Sequence, residues 1–136
     1  MTAPFHLDPR LEADGAFLLD LPLCHVRIAR DARWPWLVAV PRVAGAEELF
    51  DLAAADRAVL IEEVAQLAAA LKAETGALKI NVGSLGNIVR QLHIHIAARF
   101  EGDPAWPGPI WGHGTAEPYG PAALAGLSER LCRRLS

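Results

Sequence analysis

Apolar and polar positions alternate without a break from Gln91 to Ile96, with Gln91, His93 and His95 on one parity and Leu92, Ile94 and Ile96 on the other. A strand sends successive side chains to opposite faces. The apolar set therefore predicts a face turned into a core. The glutamine and both imidazoles share the other face, with Arg99 on the same parity if the strand runs that far. A helix would set His93 and His95 about 200° apart and mix the two sets, so the pattern selects a strand over 91–99. Earlier in the chain Cys24, Val26 and Ile28 alternate with His25, Arg27 and Ala29, and the segments 17–21 and 36–40 are further short apolar runs. Pro22, the turn Asp31-Ala32-Arg33-Trp34-Pro35 and Pro41 punctuate them, which predicts a meander of antiparallel strands with short links.

The period then lengthens. Residues 47–56 lead into a helical region in which Asp56 is the expected N-cap of a helix of about 19 residues, ending near Thr75-Gly76. Val59, Leu60, Val64, Leu67, Ala68 and Leu71 recur at three and four and form its expected buried stripe. Leu78 to Val82 reads as a strand, Gly83 to Asn87 as a loop, and the histidine strand follows. A long helix among mainly antiparallel strands predicts an α+β sheet with helices packed on one face. Residues 101–121 are rich in proline and glycine and carry Trp106, Trp111 and Tyr119. This composition excludes a regular helix or a central strand, leaving an ordered loop with aromatic anchors or a tail that orders on a partner. A short helix over 122–135 closes the chain, and residues 1–10 read as a proline-containing lead-in.

At 136 residues, 52% hydrophobic and 21% charged, the chain reads as one globular domain spanning 1–136, with its core over about 17–100. A net charge of −3 argues against a nucleic-acid partner, which selects for basic surfaces, but is compatible with a small anionic substrate held by local donors. Cys24 and Cys132 match no metal or redox spacing and read as packed, reduced thiols. The N-terminus lacks a charged start and an apolar stretch, and the segment 58–71 carries Glu62 and Glu63, so no membrane partner is expected and the cytoplasm is the expected location.

Two imidazoles side by side on one strand face suit either a nucleophile and proton-transfer pair or two ligands of a metal site. Gln91, His113 or an acidic residue would have to complete a metal site, and no Asp or Glu falls at a neighbouring ligand spacing. An imidazole is largely neutral at pH 7, as a nucleophile requires. Gly83 and Gly86 suit either a plain turn or a loop whose backbone N–H groups approach a phosphate.

The segment Gln91-Leu92-His93-Ile94-His95-Ile96-Ala97 resembles the signature of the histidine triad (HIT) family, His-φ-His-φ-His-φ-φ with φ apolar, with Gln91 in place of the first histidine. The order of elements over about 17–100 resembles the family too, including a strand ending in Val40-Pro41-Arg42 and a strand carrying Asn81. The resemblance implies an α+β, HIT-like fold: a five-stranded antiparallel sheet with a long helix, here followed by a short C-terminal one, usually paired as a homodimer. It implies hydrolysis or transfer at the α-phosphate of a nucleotide conjugate, such as a phosphoramidate, dinucleoside polyphosphate or acyl-adenylate, without a metal or other cofactor. His93, in the middle position, becomes the nucleophile, its second nitrogen fixed by a backbone carbonyl. His95 bonds a phosphate oxygen or passes a proton to the leaving group, and Gln91 donates an N–H without titrating. Asn81 and Asn87 are implied at the phosphate and Asp31 at the ribose, although Asn81 equally suits a strand-end residue bonding its own loop. Gly83 and Ser84 belong to the phosphate-facing loop, and Arg99 is either a phosphate contact or a solvated strand-end residue. The chain departs from the pattern at Gln91, at Ile88, around Trp34-Pro35-Trp36, and in the segment with Trp106 and Trp111. A nucleotide-binding module with little turnover and a metal-dependent hydrolase are the competing functions.

Overall fold

A computed structural model describes residues 3–136. The strands are β1 (Gly15–Asp20), β2 (Cys24–Ala29), β3 (Trp36–Pro41), β4 (Lys79–Gly83) and β5 (Ile94–Arg99), and the helices are α1 (Pro9–Asp14), α2 (Ala54–Thr75) and α3 (Pro121–Leu135). The five strands form one antiparallel sheet in the order β1-β2-β3-β5-β4.

The two faces follow the alternation. Val26, Ile28, Leu37, Ala39, Ile94, Ile96 and Ala98 point into a core closed by Leu60, Val64, Leu67 and Leu71 of α2 and by Leu127 and Leu131 of α3. The opposite face carries two smaller clusters. Leu11 of α1 packs with Ala29, Val38 and Val40, while Trp34 packs with Ala97 and Ile110. Between these clusters lies the histidine face.

Several boundaries differ from expectation. The lead-in holds α1, because Asp8 caps it by accepting from the Arg10 amide and Pro9 occupies its first position. β1 begins at Gly15 rather than Phe17. α2 begins at Ala54 with Ala53 as N-cap, so Asp56 lies in the first turn, where its charge favours the positive helix end. The helix does end as expected, with Gly76 in the left-handed region at φ 69°. Val59 falls outside the buried stripe at 40% exposure, while Glu63 falls inside it. Both Glu63 carboxylate oxygens accept backbone N–H groups at 2.8 Å, from Leu23 and from Cys24. A buried carboxylate at a core position thus ties α2 to the start of β2. β5 begins at Ile94, because the Leu92 amide donates to the Ala46 carbonyl outside the sheet ladder.

Removing the Glu63 carboxylate strips two backbone donors of their acceptors. Glu63→Ala is expected to lower the unfolding free energy by about 2–4 kcal/mol, with Glu63→Gln intermediate, as read from urea denaturation.

Candidate active site

The in-register row His95, Val38, Arg27 crosses β5, β3 and β2. At about 4.8 Å per strand, the row sets the His95 and Arg27 backbones about 10 Å apart. Above it lies a cavity of about 650 Å³. Its floor includes Arg27, Ala29, Trp36, Val38, His93 and His95, and its walls come from α1, from the loop 85–89 and from the segment 110–116.

The imidazoles of His93 and His95 lie edge to face, with ring centroids 4.9 Å apart. His93 Nδ1 is 2.6 Å from the Gln91 carbonyl oxygen. A carbonyl only accepts, so Nδ1 carries the proton and Nε2 keeps the lone pair. The Ser84 hydroxyl donates to the His93 carbonyl at 2.9 Å, which holds the backbone at that point. His95 Nδ1 lies 3.0 Å from the Trp36 indole nitrogen, and the Trp111 ring packs against it at a centroid distance of 5.7 Å. Burial, reinforced by the neighbouring His93, pushes the His95 pKa down to about 4.

Of the residues singled out from sequence, His93, His95, Asn87 and Asp31 line the cavity. Gln91, Asn81, Gly83, Ser84 and Arg99 are not among its lining residues. The Gln91 amide is engaged elsewhere: its oxygen accepts from the Asp8 amide and its nitrogen donates to the His6 carbonyl, both at 2.8 Å. It holds the lead-in that precedes α1. Arg99 is 1% exposed rather than solvated. Its guanidinium donates twice to Asp103 at 2.9 Å and once to Asn81 Oδ1 at 2.8 Å, so Arg99 and Asn81 satisfy each other beneath the segment after β5. The Arg99 guanidinium holds the Asp103 carboxyl well below the usual carboxylate range. A Cβ on Gly83 would come within 2.9 Å of the Trp111 ring, so this glycine seats the tryptophan.

Asp31 is braced by its own turn. Burial alone would raise its pKa, but bonds from the Arg33 side chain and from the Arg33 and Glu117 amides outweigh burial and keep it lowered. The Arg33 guanidinium also donates to the His113 carbonyl. The pair therefore ties the segment 113–117 across the cavity mouth. It brings His113 to the cavity wall. Sequence pattern noted Trp36 only as a departure from the family and Arg27 only as a strand position, and assigned neither to the site. Trp36 shares the histidine parity only through the β3–β5 register, and Arg27 only through β2–β3. Among the described residues, no three His, Cys, Asp or Glu side chains converge in a way that would hold a metal ion. No helix among them is long and apolar enough to cross a membrane.

The HIT domain family model matches residues 10–102. Among solved structures, a histidine triad (HIT) protein from Sinorhizobium meliloti 1021 is 51% identical, with 96% of each chain covered and a TM-score of 0.94. A histidine triad protein from Bradyrhizobium japonicum is 38% identical over 98% of this chain and 100% of its own, with a TM-score of 0.97. One from Marinobacter aquaeolei VT8 is 39% identical over 98% and 97%, with a TM-score of 0.95. No curated protein matches the chain.

If Gln91 anchors the lead-in, Gln91→Ala should free it locally. Hydrogen exchange at the Asp8 amide is expected to rise about tenfold, the equivalent of losing about 1.4 kcal/mol of hydrogen bonding, while amides of α2 keep their protection.

Proposed function

Because the chain belongs to the histidine triad family, we propose that it hydrolyses or transfers at the α-phosphate of a nucleotide conjugate through a nucleotidyl-histidine intermediate on His93. The observation that carries this reading is the 2.6 Å bond from His93 Nδ1 to the Gln91 carbonyl, which leaves Nε2 as the basic atom of a residue lining the cavity. Nε2 attacks phosphorus, and the bond to the leaving group breaks. The leaving group departs with the electron pair and takes a proton from solvent. Water then attacks phosphorus and gives up a proton to solvent, the phosphorus–nitrogen bond breaks, and the pair returns to Nε2, regenerating neutral His93. Dividing the substitution in this way replaces one difficult step with two easier ones.

The remaining residues divide by position. Asn87 and the loop 85–89 face the phosphate, a role supported by their place in the cavity wall. Asp31 acts with Arg33 by holding the closing segment over the ribose end. Gln91, Ser84, Asn81, Gly83 and Arg99 support the site from behind through the backbone, Trp111 and Asp103 contacts.

EDTA-treated protein given adenosine 5′-phosphoramidate is expected to release AMP, while His93→Ala loses at least 10³-fold in rate, in the range known for removal of an activated nucleophile. Intact mass should show a nucleotidyl adduct on wild type but not on His93→Ala. Nucleotide bound without turnover would identify a binding module instead, and turnover appearing only with added zinc or manganese would identify a metal-dependent hydrolase.

The proposed assembly is a homodimer. β4 lies at the sheet edge, and Leu78 beside it and Val82 on it are 56% and 51% exposed. Light scattering is expected to give about twice the 14.6 kDa chain mass.

A further inference from the structure

We propose that Trp36 is a positioning residue: its indole N–H holds His95 as the neutral Nε2–H tautomer, making His95 a fixed hydrogen-bond donor to the phosphoryl group rather than a proton shuttle. This rests on the reaction proposed above and assigns His95 one of its two expected roles.

The geometry begins with register. Trp36 is paired with Ala97 and Val38 with His95, so Trp36 is the diagonal neighbour of His95 on the same sheet face. Diagonal pairs lie about 7–8 Å apart, within reach of an aromatic side chain. The indole nitrogen meets His95 Nδ1 at 3.0 Å. An indole N–H only donates, so Nδ1 must accept and cannot carry a proton. The proton of the neutral ring is then on Nε2. His93 has the opposite arrangement, with Nδ1 donating to the Gln91 carbonyl. The two adjacent rings therefore differ in tautomer: one presents a lone pair at Nε2 and the other an N–H.

This arrangement sets what His95 does in the reaction. Protonating Nδ1 would set two N–H groups against each other and cost the indole bond. Releasing the Nε2 proton from a neutral ring would leave an imidazolate, which is inaccessible near neutral pH. Neither change suits a proton shuttle. An N–H held in one direction suits a non-bridging phosphoryl oxygen, whose negative charge is stabilised by preorganised donors. Packing holds the ring there: Trp36 lies at a centroid distance of 5.5 Å, Trp111 at 5.7 Å and His93 at 4.9 Å. Titratable and charged groups on the surrounding elements are His93 beside it, Arg27 of β2, Arg30, Asp31 and Arg33 in the turn that follows, Asp14 of α1 and His113 on the segment 110–116. Of these, His93 adds to burial in disfavouring the imidazolium, consistent with a pKa near 4.

The test is ¹⁵N NMR of the histidine rings with pH, alongside steady-state kinetics, on wild type and Trp36→Phe. Wild type is expected to show His95 as Nε2–H, with no titration between pH 5 and pH 8. In Trp36→Phe, which keeps an aromatic ring but removes the donor, the His95 midpoint is expected to rise above its wild-type value, since Nδ1 is then free to take a proton, while burial and His93 still hold it below the ordinary imidazole range. There kcat should fall about tenfold with KM little changed, and a new inflection should enter the pH–rate profile. An Nδ1–H tautomer in wild type, or titration of wild-type His95 near 6.5, would overturn the proposal without need of the variant. So would an unchanged pH–rate profile in Trp36→Phe. Absence of turnover in wild type would remove the reaction, and with it the positioning role, while the spectra would still decide the tautomer.

Discussion

Burying Leu92, Ile94, Ile96 and Ala98 against α2 and α3 forces Gln91, His93, His95 and Arg99 onto the other side of the same segment. Each of those polar groups then needs a partner where water is scarce, because an unpaired buried polar group costs about 1–3 kcal/mol. The arrangement around the cavity answers that demand residue by residue. Gln91 binds the lead-in, His93 its own chain at Gln91, His95 the indole of Trp36, and Arg99 both Asp103 and Asn81. Only the two imidazoles retain a place in the cavity lining.

The segment after β5 completes that face. Arg99 and Asp103, 1% and 5% exposed at their side chains, anchor its start, and the Asp31–Arg33 pair holds its far end. Between them Trp111 rests on Gly83 and against His95, while Ile110 packs on Trp34 and Ala97. Breaking such a buried ion pair at one partner typically costs about 3–5 kcal/mol, so the anchor resists local opening. One wall of the cavity is thus built by the chain's own segment 110–116, which lies beyond the region matched by the family model.

The residues around the two histidines fit together in this light. Gln91 supplies the carbonyl that orients His93 through its backbone, whatever its side chain does. Its amide is free to hold the N-terminal segment. Trp36 from the end of the turn and Trp111 from the segment after β5 pack against His95, which lowers the dielectric around the imidazole and keeps it neutral.

Strand identity, the split of β5 into two faces and the helix end at Gly76 were legible in sequence because each depends on local periodicity or on one residue's backbone freedom. The helix start was not, since Ala53, with no side chain able to cap, takes the N-cap position and Asp56 lies inside the first turn. Glu63 in the core was equally hidden: a carboxylate is tolerated there only because the amides of Leu23 and Cys24, some 40 residues away, converge on it. Likewise, the pattern showed which residues share a face with the histidines but not which of them reach the cavity. Sequence alone determined that His93 and His95 stand together on one face, because a period of two requires it. Tertiary structure decided that Trp36 would meet His95, that Arg99 would turn away to Asp103 and that Gln91 would hold the lead-in, because hydrogen-bond partners across strands are set by register and packing rather than by spacing along the chain.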